Sequence, residues 1–539
     1  MTSAHPPGYP LKVISAQASA ASGARTGRAG DFGGFRTRWA LLISVAGGLA
    51  LYASFPPADV WPLAVLGPAL LVLALTGRSL RGSFGCALAF GLAQFVPLLS
   101  WLINLAWYAW AALAVSEAVI FALLAIGQRL LLRLPYWPVA VAGWWVLVEG
   151  VRDRWPYAFP WGRLAMSQSV APDVRWVAFG GAPLLSFLIA LTGAMLAGAV
   201  LAWMGPEGRA RWAASAAAVV TAGLVLAGGL LPADPTGGAP TAQVAAIQGN
   251  VPRARDLPQQ LRATQVTQNH VDATLKLAAQ VKAGQRPAPD LVIWPENATD
   301  IDPFQDPSVY AQLSTAVVAI GKPILVGEVL NDPRRNVGQL WVPGRGPTTA
   351  YVKRQLVPFG EYIPYRGIIS SFSDLPALQP IDFTAGRRPV VFGVGKIRLG
   401  DVICYEVAFD HLVRSEVTAG ANLLAVQSND ADFEIDGQLG ETQQQTAMAR
   451  IRAVESDRAV VYASTTGEST IIAPDGSLLA HSGVWQQAIL DARVPLVTHR
   501  TLATRVGAWP EYVIIMLTVL ALAWAVVRAR RPRRGESTG

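Results

Sequence analysis

Long apolar stretches are separated by short loops over the first 231 residues, and one more apolar stretch lies near the C-terminus. Most of them have the roughly 17–25 residues that a helix needs to cross a hydrocarbon core of about 30 Å. They cover 38–54, 60–77, 83–103, 106–128, 137–151, 180–204, 211–231 and 511–528. The pattern predicts a membrane α-helical bundle of about eight spans, with seven spans within 37–231 and the eighth at 509–530.

The residues between the seventh and eighth stretches follow a different pattern. Short strand-like runs are separated by helix-like stretches such as 306–320 and 438–456. The strand-like runs are TAQVAAIQGNV, DLVIWPENA, KPILVGEVL, KIRLGDVICYE and NLLAVQSND. Strands interleaved with helices are typical of a layered α/β domain with a buried sheet. We place this domain at 242–500, after a Gly- and Pro-rich linker at 232–241.

Arginines indicate the orientation of the spans, because cytoplasmic loops of membrane proteins carry an excess of Lys and Arg. With a cytoplasmic N-terminus, most flanking arginines lie on one side, and the α/β domain is external. The disordered tail at 1–36 and the basic tail at 531–539 are then cytoplasmic. One predicted external loop, 152–175, does not follow the rule, and either a structural role or a lipid-headgroup contact would explain it. Its arginines are Arg152, Arg154, Arg163 and Arg175.

Composition agrees with a membrane protein. Of the 539 residues, 52% are hydrophobic and only 15% are charged, and the mean hydropathy is +0.34. The net charge of +8 is compatible with a nucleic-acid partner. The basic residues, however, are dispersed among short loops, so we expect a membrane and no nucleic acid. The five histidines are scattered without ligand spacing, and we expect neither a metal nor another cofactor.

The chain has two cysteines, Cys86 in an apolar stretch and Cys404 at the end of a strand-like run. Two cysteines in so long a chain do not make a disulfide scaffold. Cys404 is followed directly by Tyr405 and Glu406. A lone cysteine is as often a small buried hydrophobic side chain as a reactive thiol, so spacing alone makes Cys404 only a candidate nucleophile.

Two other segments place ionisable side chains on or after strand-like runs. Glu296 follows Trp294 and Pro295 in WPENA. The proline ends regular pairing and leaves the carboxylate at the carboxyl edge of a sheet. Lys353 lies on the strand-like run YVKRQLVPFGE, which ends in Glu361. Taken singly, Glu296 is also typical of a surface loop, Lys353 of a solvated strand and Glu361 of a turn.

Taken together, the segments WPENA, KRQLVPFGEYIP, GDVICYE and QSND resemble the carbon–nitrogen hydrolase (nitrilase) superfamily. The stretch LVEGVRDRWPYAFPWGRLAMSQ at 147–168 and the predicted spans are similar to its membrane-embedded branch, the apolipoprotein N-acyltransferase family. The resemblance covers nearly everything from the first to the eighth predicted span. It implies that the external domain is a nitrilase-like αββα sandwich.

The resemblance also implies roles for individual residues. Glu296 matches the general base of the family, Lys353 the catalytic lysine and Cys404 the nucleophile. The auxiliary residues that it implies are Glu361, Glu406 and Asn336. The chain departs from the family pattern at Asp432, Phe433 and Glu434 and again at 464–469. These departures concern substrate contacts and leave the Glu–Lys–Cys triad intact.

Elementary chemistry agrees with these roles. A free cysteine has a pKa of about 8.5, so its thiol is mostly protonated at neutral pH and must lose a proton to attack. Glu296 is a suitable acceptor for that proton. The ammonium of Lys353 and the backbone N–H of Tyr405 are suitable donors to the tetrahedral oxyanion.

The activity that the resemblance implies is N-acylation of lipoproteins with ping-pong kinetics. An acyl chain would pass from a membrane phospholipid to Cys404 as a thioester, and then to the α-amino group of an N-terminal diacylglyceryl-cysteine. We therefore expect a multi-pass protein of the bacterial cytoplasmic (inner) membrane with a periplasmic catalytic domain. The expected partners are a phospholipid donor and a lipoprotein acceptor, and the expected state is a monomer.

Two alternatives remain open. A membrane-anchored amidase or nitrilase would hydrolyse a small amide with the same triad, although such an enzyme does not need eight spans. A membrane scaffold that has lost catalysis would have no need of Glu296, Lys353 and Cys404 together. A fatty-acyl thioester on Cys404 would distinguish the acyltransferase from both.

Overall fold

The computed structural model describes residues 35–206, 208–231, 237–252, 258–371, 379–431, 433 and 439–530. Apart from residues 35 and 36, the predicted tails at 1–36 and 531–539 lie outside these residues, as does 232–236 of the predicted linker. Asp432 and Glu434, two of the residues that depart from the family pattern, also lie outside them.

All eight apolar stretches of the sequence are α-helices in the structure. They are α1 (Thr37–Ala53), α2 (Leu63–Leu75), α3 (Leu80–Leu98), α4 (Trp107–Leu131), α5 (Trp137–Arg152), α6 (Val177–Met204), α7 (Gly208–Leu226) and the C-terminal helix α14 (Trp509–Arg530). Their ends lie within a few residues of the predicted ends. A run of apolar residues can be located from the sequence alone, without knowledge of the fold.

Four helical segments in the described residues are long and apolar enough to cross a membrane. They are Trp107–Leu131, Pro172–Met204, Gly208–Leu230 and Trp509–Arg530. Helices α1, α2, α3 and α5 have 17, 13, 19 and 16 residues. At 1.5 Å per residue, α2 is only about 20 Å long. The structure therefore has a helical region with apolar spans, and the number of eight stays a prediction.

Two six-stranded sheets form the α/β domain among the residues that the structure describes. The first sheet has the order β12–β1–β2–β3–β4–β5 and the second β11–β10–β9–β8–β7–β6. The strands are β1 (Thr241–Gln248), β2 (Leu291–Ile293), β3 (Ile324–Asn331), β4 (Arg334–Val342), β5 (Gly346–Val352), β6 (Val391–Val394), β7 (Ile397–Ile403), β8 (Leu423–Ser428), β9 (Ala459–Ser464), β10 (Thr470–Ile472), β11 (Leu478–His481) and β12 (Ala488–Pro495). Strands β1–β3 are parallel, as are β7–β9, so each sheet has an edge at which several carboxyl ends meet.

Each sheet has helices on its outer face, and the inner faces of the sheets lie against each other. Gln427 of β8 donates across the interface to the carbonyl of Trp294 in the first sheet at 2.6 Å. The domain's helices are α8 (Gln259–Lys282), α9 (Pro307–Ile320), α10 (Arg366–Ile369), α11 (Asp410–Thr418), α12 (Gly440–Ser456) and α13 (Leu502–Val506). Helices α8 and α9 cover the first sheet, and α11 and α12 cover the second. This is the αββα sandwich that the resemblance implied.

A buried group of charges joins the helical region to the sandwich. We call Arg163, Asp410 and Arg452 the interdomain cluster. Arg163, in the segment after α5, donates to the two oxygens of Asp410 at 2.8 and 3.1 Å. Arg452 of α12 lies 2.7 Å from Asp410. Arg152 likewise pairs with a buried glutamate of α4. Arg152 and Arg163 of the segment 152–175 therefore have structural partners, which favours a structural role over a lipid-headgroup contact for these two residues.

Candidate active site

Glu296 lies at the carboxyl edge of the first sheet, just after β2 ends at Ile293. Its side chain is buried. Oε1 accepts hydrogen bonds from Lys353 Nζ at 2.9 Å and from Asn336 Nδ2 at 2.6 Å. Oε2 accepts from the backbone N–H of Asn429 at 3.0 Å. Because Asn429 follows directly on β8, Glu296 connects the carboxyl edges of the two sheets.

Lys353 follows directly on β5, which ends at Val352, and so lies just past the strand on which the sequence pattern placed it. The side chain is 1% exposed, which excludes a solvated strand residue. Its ammonium lies 2.9 Å from Glu296 and 3.0 Å from Glu361. One buried cation is thus shared by two carboxylates. We call Glu296, Lys353 and Glu361 the lysine cluster.

Asn336 and Glu361 hold the lysine cluster in place. Asn336, on β4, donates through Nδ2 to Glu296 and also to Glu361, the latter at 3.0 Å. The second oxygen of Glu361 accepts from the backbone N–H of Val357 at 2.8 Å. Glu361 is therefore a buried, bonded side chain and not a solvated turn residue.

Cys404 lies directly after β7, at the first position of a short 3-10 helix (Cys404–Ala408). Its φ is +51°, a left-handed conformation that side chains other than glycine adopt rarely and that is concentrated at functional sites. The residue is buried, and Gln445 Nε2 donates to its Sγ at 3.6 Å. A strained strand-to-helix turn is the arrangement that presents a nucleophile at the edge of a sheet.

Glu406 fixes the turn of Cys404 relative to the loop of Lys353. One carboxylate oxygen accepts from the N–H before Cys404 and from a tyrosine hydroxyl, and the other accepts from the two N–H groups after Lys353. The donors are Ile403, Tyr351, Arg354 and Gln355, at 2.7, 2.8, 2.7 and 3.0 Å. With four donors, this buried carboxylate links two loops that are distant in sequence.

Tyr405 connects the turn of Cys404 to the helical region. Its hydroxyl donates to the carbonyl of Ala158 at 2.5 Å. Its ring stacks on Phe159 and Trp161 at centroid distances of 6.2 and 6.3 Å. Trp161 donates in turn to Gln444 of α12 at 2.5 Å. The backbone N–H of Tyr405 lies in the first turn of the 3-10 helix, where N–H groups lack intrahelical acceptors, as the predicted oxyanion donor requires.

Burial and neighbouring charges set the protonation of the three central groups. Burial raises the pKa of Cys404 well above its usual range, and Glu296 raises it further while Lys353 opposes the shift. Burial also raises the pKa of Glu296, against the effect of Lys353. Burial alone would lower the pKa of Lys353, but Glu296 and Glu361 raise it well above its usual range. The site therefore combines the protonated thiol of Cys404, the permanently charged ammonium of Lys353 and the carboxylate of Glu296, whose basicity is enhanced.

Asn429 and Gln445 belong to the site, and neither was among the residues predicted from the sequence. A signal for Asn429 was its place in QSND, directly after a strand-like run, where the other site residues also lie. A signal for Gln445 was the polar run ETQQQT at the start of α12, since a polar helix face that is buried needs partners. The buried polar residues of this run are Glu441, Thr442, Gln444, Gln445 and Thr446.

Phe433 is the described member of the first segment that departs from the family pattern. Its ring lies 5.1 Å from that of Trp101, centroid to centroid, and its carbonyl accepts from Asn104 at 2.6 Å. Both partners belong to the segment between α3 and α4. This departure therefore falls where the sandwich contacts the helical region, apart from the Glu–Lys–Cys triad.

Two family models match the chain. Residues 47–195 match the apolipoprotein N-acyltransferase N-terminal domain, and residues 243–504 match the carbon–nitrogen hydrolase domain. The second match includes nearly the whole αββα sandwich, with Glu296, Lys353 and Cys404. The matches concern domains and not side chains, so the catalytic roles of these residues stay predictions.

Curated relatives match nearly the whole chain. The apolipoprotein N-acyltransferase of Mycolicibacterium smegmatis is 37% identical over 91% of this chain and 86% of its own length. That of Azotobacter vinelandii is 31% identical over 91% of this chain and 96% of its own length. Among solved structures, an amidase from Nesterenkonia sp. AN1 is 19% identical, covers 49% of this chain and 95% of its own chain, and has a TM-score of 0.36. The similarity to the two curated relatives thus includes both the helical region and the sandwich.

Proposed function

The chain belongs to the apolipoprotein N-acyltransferase family, and from this premise we propose that it N-acylates lipoproteins. A membrane phospholipid supplies the acyl chain, Cys404 carries it as a thioester, and the α-amino group of an N-terminal diacylglyceryl-cysteine receives it. The main support is the arrangement of Lys353 between two buried carboxylates, one of them Glu296, together with a buried thiol in a left-handed turn.

In the first half-reaction, Cys404 Sγ attacks the ester carbonyl, so that an S–C bond forms and the ester C–O bond breaks. Because burial keeps the thiol protonated, the proton must leave as the attack proceeds. Glu296 accepts it and passes it to the glycerol oxygen, which departs as the hydroxyl of a lysophospholipid. This half-reaction releases no net proton.

Positive charge must remain in place while the oxyanion forms. The raised pKa of Lys353 keeps its ammonium charged, and the backbone N–H of Tyr405 is the second oxyanion donor. Asn336 and Glu361 keep the ammonium in position, and Glu406 ties the turn of the thiol to it.

In the second half-reaction, the acceptor amine attacks the thioester carbonyl of the acylated Cys404. The C–N bond of the amide forms, the S–C bond breaks, and Sγ regains a proton through Glu296. The donor product has already left, so the kinetics are ping-pong.

The test is mass spectrometry of the intact protein after incubation with phospholipid and no acceptor. We expect an added mass of one acyl chain that hydroxylamine removes, and one equivalent of lysophospholipid. If the protein stays unmodified and instead hydrolyses small amides, the membrane-anchored amidase is the correct alternative. A protein that does neither would be the catalytically inactive scaffold.

We also propose that the sandwich lies on the periplasmic side of the bacterial inner membrane, that both termini are cytoplasmic and that the protein acts as a monomer. The distribution of arginines around the apolar helices supports this orientation. A reporter that is active only outside the cytoplasm, fused at residue 300, should be active, and a cytoplasmic reporter at the same place should be silent. The reverse result would overturn the orientation.

A further inference from the structure

Glu441 is a buried carboxylate beside the nucleophile that the mechanism above does not use. It lies in the first turn of α12, where the helix dipole favours a negative charge. It accepts a hydrogen bond from Gln445 Nε2, and the same amide donates to Cys404 Sγ at 3.6 Å. The Glu441 carboxylate and the Cys404 sulfur therefore share one donor.

Glu441 approaches the thiol from a different element than Glu296 does. Glu296 and Lys353 belong to the first sheet, whereas α12 lies on the side of the helical region. Gln444, on the same turn of α12, donates to the carbonyl of Leu98 at the end of α3, at 3.2 Å. Cys404 thus lies between a carboxylate of the first sheet and a carboxylate of the helix that contacts the helical region.

The second half-reaction needs one more proton acceptor than the first. An α-amine with a pKa of about 8 is mostly an ammonium with three protons at neutral pH. The amide keeps one proton, and Glu296 returns a second to Cys404 Sγ. The third proton needs another base, because Glu296 is already occupied with the second.

The charges around the thiol also favour a cationic acceptor. The ionisable groups that act most strongly on the Cys404 thiol are three carboxyls, Glu296, Glu441 and Asp430, and the ammonium of Lys353. Asp430 is committed to three hydroxyl donors. A site with this excess of carboxylates is complementary to an incoming ammonium.

We propose, building on the acyltransferase function, that Glu441 binds the α-ammonium of the acceptor beside the thioester and accepts one of its protons. The balance of the step is then complete. The ammonium, the thioester and the Glu441 carboxylate become the amide, the Cys404 thiol and the Glu441 carboxylic acid. Glu441 is thereby the residue that selects an amine over water in the second half-reaction.

The experiment separates the two half-reactions in the full-length protein. Parent and Glu441→Gln are loaded from a phospholipid with a labelled acyl chain and freed of donor. Each is then mixed with a synthetic peptide that begins with a diacylglyceryl-cysteine. We expect loading within about threefold of the parent and transfer to the peptide about 10²-fold slower at pH 7, the loss typical of a missing general base. The deficit should shrink above about pH 8, where the peptide amine is neutral without help.

Two further variants complete the test. Glu441→Asp keeps a carboxylate and should recover much of the transfer rate. Asp457→Asn removes one negative charge from the other end of α12, about 24 Å from Glu441. Asparagine suits the left-handed backbone at this position. This control variant should load and transfer as the parent does. The proposal is wrong if Glu441→Gln transfers at the parental rate, if its deficit is the same at every pH, or if its loading is lost. A parent that never carries label would instead contradict the acyltransferase function itself.

Discussion

The lysine cluster and the interdomain cluster are both buried, and both combine carboxylates with cations, but in opposite proportions. In the lysine cluster, Lys353 is shared by Glu296 and Glu361. In the interdomain cluster, Asp410 is shared by Arg163 and Arg452. One cation thus faces two carboxylates in the first cluster, whereas one carboxylate faces two cations in the second. Those two cations also pair with Glu149 and Glu455.

This proportion decides whether a buried carboxylate can take up a proton. Burial by itself would raise the pKa of both Glu296 and Asp410. At Glu296 the single ammonium does not cancel this effect, and the pKa stays raised. At Asp410 the guanidinium groups of Arg163 and Arg452 outweigh burial and lower the pKa. The lysine cluster is thus suited to proton transfer, whereas the interdomain cluster remains ionised and holds two regions together.

The largest expected effect is on the thiol beside the lysine cluster. Cys404→Ser should abolish acylation of the protein, because a serine hydroxyl has no comparable anion at neutral pH. Labelled phospholipid followed by electrophoresis measures it. Cys86→Ala is the matched control, since Cys86 is also a buried free cysteine but lies in α3, and it should be labelled as the parent is. Equal labelling of Cys404→Ser and the parent would exclude the thioester.

Glu296→Gln tests the proton-accepting side of the comparison. The variant keeps the shape of the side chain but cannot accept the thiol proton, so the rate of loading should fall by about 10²–10⁴-fold. The unfolding temperature in detergent should also drop, because the glutamine NH2 must face one of the three donors that Glu296 accepts from, so loading is compared per folded protein. A variant that loads at the parental rate would show that Glu296 is not the base.

Asp410→Asn tests the structural side. Removing the carboxylate leaves Arg163 and Arg452 without their shared partner, while each keeps a second carboxylate, Glu149 at 3.7 Å and Glu455 at 2.6 Å. The expected loss is therefore at most about 3–5 kcal/mol, the cost of leaving a buried charge unpaired. The unfolding temperature should drop clearly, while the loading rate of the remaining folded protein stays close to that of the parent. If loading is lost while the unfolding temperature stays parental, Asp410 takes part in loading and is not a purely structural residue.

The two clusters should also differ in their response to pH. Loading needs the carboxylate form of Glu296, so its rate should fall as the pH drops through the raised pKa, by about tenfold per pH unit below it. Asp410 has a lowered pKa, so its contribution to stability is present above the unfolded value of about 3.9 and is lost only as the pH falls through the lowered value. The difference in unfolding temperature between parent and Asp410→Asn should therefore stay constant from about pH 5 to 8. If this difference in unfolding temperature changes with pH in parallel with the loading rate, the two clusters do not have separate roles.

The smallest effect on stability is expected for a guanidinium–carboxylate pair that is exposed to solvent. Arg366 and Asp382 form an ion pair whose side chains are 33% and 41% exposed. Asp382→Asn should change the free energy of unfolding by less than about 1 kcal/mol, since solvent screens exposed pairs. A loss as large as that of Asp410→Asn would mean that burial is not what distinguishes the interdomain cluster.

The resemblance predicted the central residues, which the structure brings together just past the ends of strands, and their catalytic roles stay predictions. Glu296 comes after β2, Lys353 after β5 and Cys404 after β7. Gln445 and Asn429 were missed for different reasons. Gln445 lies within a helix, where a polar residue is usually on an exposed face. Asn429 contributes its backbone N–H, a group that nearly every residue has and that a sequence motif therefore does not reveal.

The sequence by itself determined the helices and most of the strands that carry the site, and through the resemblance it predicted the candidate catalytic side chains, because apolar periodicity and motifs are local. Only the tertiary structure decided which charges meet. Asp410 and Arg163 are 247 residues apart in the chain, and Lys353 and Glu296 are 57 apart. Their partners depend on how sheets and helices pack. That packing also sets the burial that raises the pKa of Glu296 and brings the two arginines that keep Asp410 ionised.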